Sequence, residues 1–155
     1  MGVEIERKFL VDHEKWGLVN KPAGTHYRQG YILSNGQNTV RVRVSDKQAY
    51  LNMKSKVSQI SRKEYEYEIP LEDGNEILNF FTKNGTEKTR YRIHFEGKVW
   101  EVDEFLGDNN GLIVAEIELE SETEQFQFPE WVTAEVTDDN RYANSSLAIH
   151  PFCDW

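Results

Sequence analysis

A single cysteine, Cys153, stands in the 155 residues, so no intrachain disulfide can form and no cysteine-based metal site can be assembled. Long apolar runs are missing too. No stretch approaches the roughly 18 residues of a membrane span, and the first residues lack a basic region followed by an apolar one. Together these absences lead to the expectation of a cytoplasmic protein in a reducing compartment, with no membrane partner. Positive charge is also short. With 18 Lys and Arg against 27 Asp and Glu, the net charge is −9, which argues against a general nucleic-acid binder because phosphate backbones demand a positive footprint. A local basic site remains allowed. The four histidines, His13, His26, His94 and His150, lie outside the charged rows described next, and none is assigned a chemical role. There is no linker, low-complexity segment or repeat of 20 to 50 residues. The length suits one domain, residues 1–155, able to bury roughly two-thirds of its unfolded surface.

What is present is alternation. In an extended strand successive side chains point to opposite faces, so VEIERKFL at Val3 to Leu10 places Glu4, Glu6 and Lys8 opposite Ile5, Arg7 and Phe9. The device recurs along the chain. TVRVRV sets Arg41 and Arg43 against Val40, Val42 and Val44; AYLNMKSK brings Lys54 and Lys56 into register; SRKEYEYEI sets Glu64, Glu66 and Glu68 against Tyr65, Tyr67 and Ile69. KTRYRIHF carries Lys88, Arg90 and Arg92, then Glu101 and Asp103 alternate with Trp100 and Val102, and LIVAEIELE carries Glu116, Glu118 and Glu120. Turns fall at Ser34-Asn35-Gly36 and Glu96-Gly97, with a loop at 107–111. Two helices are expected. One runs from an Asp12 cap to Val19 around Trp16, and the other covers 72–83, with Ile77, Leu78, Phe80 and Phe81 as its stripe and Asn84-Gly85 as its stop. A short strand at Glu135 to Thr137 and a helix starting near Asp139 or Asn140 close the chain.

Each strand is nearly of one sign. Like charges two residues apart on one face sit about 7 Å from each other and repel, so the pattern costs stability unless partners lie across a cavity. Two architectures meet this demand. In one, an open sheet packs its apolar face on helices and leaves the charged face in solvent. In the other, the sheet closes, the charged faces turn inward, and the two helices wrap an apolar exterior. A charged bore of that kind suits an oxyanion on its basic rows and a hard divalent cation on its carboxylates.

EIERKFL, VRVR, the Lys of LNMK, EYEYEI, KTRYRI, WEVDEF, GLIVAEIELE and EVTDDNRYAN, in this order from Val3 to about Leu147, resemble the motifs of the CYTH superfamily, the triphosphate tunnel metalloenzymes, in its short bacterial form. The resemblance implies a β-rich α+β fold built on a closed eight-stranded antiparallel barrel with a charged lumen and helices outside. It also implies Mg²⁺ or Mn²⁺ as cofactor and hydrolysis of a triphosphate, first of all inorganic tripolyphosphate to pyrophosphate and phosphate. Thiamine triphosphatase activity, class IV adenylyl cyclase activity and non-catalytic polyphosphate binding remain the alternatives. Carried over residue by residue, Glu4, Glu6, Asp103, Glu116 and Glu118 resemble the metal-binding acids. Lys8, Arg41, Arg43, Lys54, Lys88, Arg90 and Arg141 resemble the phosphate clamp, with Arg92 less firmly placed. Tyr31 joins Lys8, Glu4 and Glu6 as a candidate catalytic group, and Glu64 and Glu66 are further tunnel acids. Lys56 is expected near a strand end in solvent, and Glu101 as a balance for a neighbouring cation. The implied partner is a small triphosphate, without nucleic acid; a homodimer is left open.

Overall fold

The structure is a computed structural model, and it describes residues 2–155. Nine strands form one antiparallel sheet. They are β1 (Gly2–Val11), β2 (Thr25–Ser34), β3 (Asn38–Val44), β4 (Ala49–Lys56), β5 (Ser61–Ile69), β6 (Gly85–Phe95), β7 (Lys98–Phe105), β8 (Ile113–Leu119) and β9 (Val132–Glu135). Their order is β5-β4-β3-β2-β6-β7-β8-β1-β9. The ring closes where Gly2 to Ile5 of β1 pair with Glu64 to Ser61 of β5, so eight strands share no free edge and β9 is an appendage on β1. Closure sends one side of every strand inward. The charged rows take that side and the apolar rows face out.

Three short helices lie outside the ring: α1 (His13–Gly17), α2 (Leu71–Phe81) and α3 (Asn144–Ile149). Asp12 caps α1, its carboxylate accepting the Lys15 N–H at 2.9 Å. Because the lumen is polar, the apolar cores lie between the ring and its covering. The larger one buries Phe9, Trp16, Trp100, Val102, Ile117 and Trp131 on the outer face of β1, β7 and β8. Here α1 covers only part of the wall, and the irregular stretch between β8 and β9 completes it with Phe126 and Phe128 stacked edgewise on Trp100 and Phe9. A second core packs Ile77 and Leu78 of α2 on Val42, Val44 and Ala49. Gly74 makes that docking close, since a Cβ there would overlap the Cβ of Ala49.

Several sequence expectations need correction. Helix α1 is five residues long and stops at Gly17, before Val19. Helix α2 ends at Phe81, not at Asn84-Gly85, because Thr82 turns extended while its hydroxyl donates to the Leu78 carbonyl; Gly85 opens β6 against Gln29. The late strand lies at Val132–Glu135, and Asp139 caps only a 3-10 turn, Asn140–Tyr142, ahead of α3. Wrapping by helices is incomplete as well. Met53, Tyr65 and Tyr67 on the outer face of β4 and β5 remain exposed. No helix among the described residues is long and apolar enough to cross a membrane.

Candidate active site

The bore encloses a cavity of about 240 Å³. Glu4, Glu6 and Lys8 reach it from β1, Tyr31 from β2, Arg41 and Arg43 from β3, Lys54 from β4 and Glu64 and Glu66 from β5. Lys88 and Arg90 arrive from β6, Glu116 and Glu118 from β8. Strand alternation explains every one of these placements. Ala143, Asn144 and Ser145, at the start of α3, line the cavity too, and Lys88 Nζ donates to Asn144 Oδ1 at 3.1 Å.

Two expected residues are elsewhere. Asp103 does not line the cavity. It is fully buried in the wall, where its Oδ2 accepts from Lys88 Nζ at 2.7 Å and from Arg90 Nη2 at 2.9 Å and its Oδ1 from Arg90 Nε at 2.7 Å, so both oxygens are engaged by cations of the wall. Arg141 lies outside the ring, held by Asp139 at 2.7 Å and stacked over Trp155, because the turn Asn140–Tyr142 projects it to solvent rather than into the bore. Conversely, Arg62, Asn52, Thr39, Arg92 and Glu101 line the cavity. The first three fall on the inward step of rows already visible in the sequence, two residues from Glu64, Lys54 and Arg41; Asn144 sits in an irregular segment and gives no periodic signal.

The cations divide into two groups. Lys88 and Arg90 share the single carboxylate of Asp103. Burial works against the charge of Lys88 and, despite Asp103, brings its pKa down to about 8. Burial also opposes the charge of Arg90, yet Asp103 outweighs it and holds the guanidinium firmly protonated. Burial would raise the pKa of Asp103 itself, but Arg90 and Lys88 keep it below the usual carboxylate value. Arg41 belongs to the second group. It is 8% exposed, forms no ion pair among the described residues, and its Nε has no partner. Arg43 stacks 4.6 Å from the Tyr27 ring, with Glu66 only at 3.8 Å and an unpartnered Nε. Burial, then Arg41 and Arg90, lower its affinity for its proton. A buried guanidinium without a counter-ion is costly, and an anion in the bore removes that cost.

The acids crowd in a similar way. Burial, then Glu116 and Glu4, push Glu6 well above its ordinary value, and burial with Glu4, Glu64 and Glu101 raises Glu118. Burial would do the same to Glu116, but Lys8 and Arg90, each 3.8 Å away, hold it far below. Burial disfavours the charge of Lys54, yet Glu4 at 2.9 Å and Glu6 raise its pKa. Such crowding of carboxylates is relieved by a cation. No three acidic or histidine groups among the described residues form a ready-made metal cage. That suits Mg²⁺ or Mn²⁺, which keep waters and share their coordination between one or two carboxylates and a phosphate. One or two of Glu4, Glu6 and Glu118, which line the cavity, fit such an ion; Asp103, outside the cavity, does not.

A closed antiparallel ring lined by inward cations and carboxylates defines a tunnel protein for polyanions, and the comparisons agree with the geometry. Residues 2–148 match the CYTH domain model, and the chain belongs to the CYTH family. An inorganic triphosphatase of Acetivibrio thermocellus is 49% identical over 153 residues, covering 98% of this chain and 97% of that protein. One from Nitrosomonas europaea is 33% identical, covering 94% and 97%. A crystal structure of an inorganic triphosphatase matches with a TM-score of 0.67 at 31% identity, over 96% of each chain. A putative adenylyl cyclase from Hippeastrum, at 17% identity and a TM-score of 0.59 over 78% of this chain and 80% of that one, shares the fold alone.

Proposed function

We propose that the protein hydrolyses inorganic tripolyphosphate to pyrophosphate and phosphate with Mg²⁺ or Mn²⁺. The observation that carries this reading is Arg41, buried and uncompensated in a bore whose opposite side is acidic. Arg41, Arg43 and Lys54 grip the phosphoryl oxygens, the guanidinium forks in paired hydrogen bonds and the ammonium as a compact charge. Lys8 adds a cation 3.8 Å from Glu116. Lys88 and Arg90, fixed by Asp103, supply positive charge that does not reorganise during the reaction. One or two of Glu4, Glu6 and Glu118 would hold the metal, which when bound neutralises phosphoryl charge and favours in-line attack by water.

In that attack the water oxygen bonds to the terminal phosphorus, the bridging P–O bond breaks, and pyrophosphate departs with the bond's electron pair. The water proton passes to the acidic side of the bore. A turnover panel of tripolyphosphate, thiamine triphosphate and ATP, each with Mg²⁺ and Mn²⁺, tests the reading. Tripolyphosphate is expected to turn over fastest. Preferred turnover of another member would reassign the substrate, and binding of all three without product would make the protein a polyphosphate binder.

A further inference from the structure

The wall of the bore has a gap that strand pairing leaves open. Strand β1 runs beside β5 only from Gly2 to Ile5; its last tie there is the Glu6 N–H donated to the Ile60 carbonyl at 3.0 Å. Further along, the same edge of β1 is taken by β9 and the residues after it, with the Val136 N–H donating to the Lys8 carbonyl at 2.8 Å and Thr137 Oγ1 accepting the Lys8 N–H at 3.0 Å. Between these two partners lies a second cavity of about 40 Å³. Glu6, Lys8, Arg62 and Ala143 line both spaces, so only their side chains separate the side cavity from the main bore.

Its charge differs from that of the bore around Glu118. There the wall gathers Glu4, Glu64 and Glu101 beside Glu118, whose proton affinity burial and then these three neighbours raise. In the side cavity the charged groups are Lys8, Lys56 and Arg62 against Glu6 and Asp139. Asp139 is committed to Arg141 through contacts of 2.7 and 3.0 Å. Lys56 and Arg62 form no side-chain hydrogen bond or ion pair among the described residues, although both are half-buried. Two uncommitted cations beside the neutral donors of Gln59 and Asn140 are a recognition set for a small oxyanion. Since a water needs about 10–15 Å³ by the same kind of measure, the space holds a few waters' worth, enough for one phosphate and too little for a chain.

We propose that this side window is a binding and exit site for inorganic phosphate, with Lys56 and Arg62 as its recognition residues. It rests on the hydrolase reading: a bare phosphate formed in the bore leaves sideways over the basic residues, while metal-neutralised substrate enters past the carboxylates.

The test is a ¹H–¹⁵N NMR titration of the full chain with sodium phosphate in the presence of a chelator, on the parent and on Lys56→Gln. Saturable shifts are expected at the amides of Lys56, Gln59, Thr137 and Asn140. Lys56→Gln should weaken phosphate at those amides by at least about fivefold, the loss of one charge-assisted contact, and leave tripolyphosphate shifts at Arg41 and Lys54 unchanged. Phosphate shifts confined to bore residues would overturn the proposal, as would equal weakening of both anions. A response of the window to long-chain polyphosphate but not to phosphate would give the site to a substrate tail and end the exit reading. No turnover is needed, so a failure to hydrolyse tripolyphosphate would count against the hydrolase reading alone.

Discussion

Arg41 and Arg90 are both buried arginines of the bore, yet opposite surroundings hold them. Arg90 is locked to Asp103, so Arg90→Ala leaves a buried carboxylate short of partners and should cost about 3–5 kcal/mol in urea unfolding. Arg41 has no counter-ion to abandon. Arg41→Ala should leave the urea midpoint unchanged or raised while kcat/KM for tripolyphosphate falls about 100-fold. A matched loss of stability in both variants would show that Arg41 is structural. Glu6 carries a second prediction. Its raised proton affinity, caused by burial and by Glu116 and Glu4, sets protons in competition with a metal for the site. Calorimetry of Mn²⁺ binding in buffers of different ionisation enthalpy should show proton release by the parent and little by Glu6→Gln. The strand rows made Glu6 and Arg41 readable from period two alone. The same rule misplaces Asp103, which shares its step with Glu101, because periodicity gives a side chain's direction and not the depth at which Lys88 and Arg90 seal it.

At the scale of elements, the strands were legible and the end of the chain was not. Alternation marks a strand by its own residues, whereas α3 is fixed by distant contacts. Asn144 Oδ1 accepts from Lys88 Nζ and from Gln29 Nε2 at 2.9 Å, and neither partner is near it in sequence. The same reason explains the misplacement of Arg141, whose motif gives no sign that its turn points it at solvent. Helix α2 offers a test of how closely an outer element must sit. Gly74→Ala would push its new methyl into Ala49 and should cost about 1–3 kcal/mol, measured as a lower urea midpoint. An unchanged midpoint would mean that α2 lies on the wall with slack.

For the whole molecule, the inward charges link stability to pH. Asp103 and Glu116 bind their protons more weakly folded than unfolded, so their contribution is present above their ordinary values of 3.8 and 4.5 and is lost as pH falls through the lower folded values. Glu6, raised on folding, works the other way, favouring the folded state most below its ordinary value and less as pH rises through its folded one. Lys88 binds its proton more weakly folded, so its contribution grows as pH rises from about 8 towards 10.5. Unfolding followed by fluorescence should therefore show stability dropping below pH 4.5, and Asp103→Asn should flatten that drop. The net charge of −9 opposes the approach of a free polyanion, which a bound divalent cation offsets.

Phosphate release from tripolyphosphate with Mg²⁺ and with Mn²⁺, measured side by side for the parent, Arg41→Ala and Glu118→Gln with folding checked by circular dichroism, bears most directly on the central claim. The account predicts metal-dependent turnover by the parent and a large loss in both folded variants. Turnover that persists undiminished in both, or a parent that releases no phosphate with either metal, would contradict it.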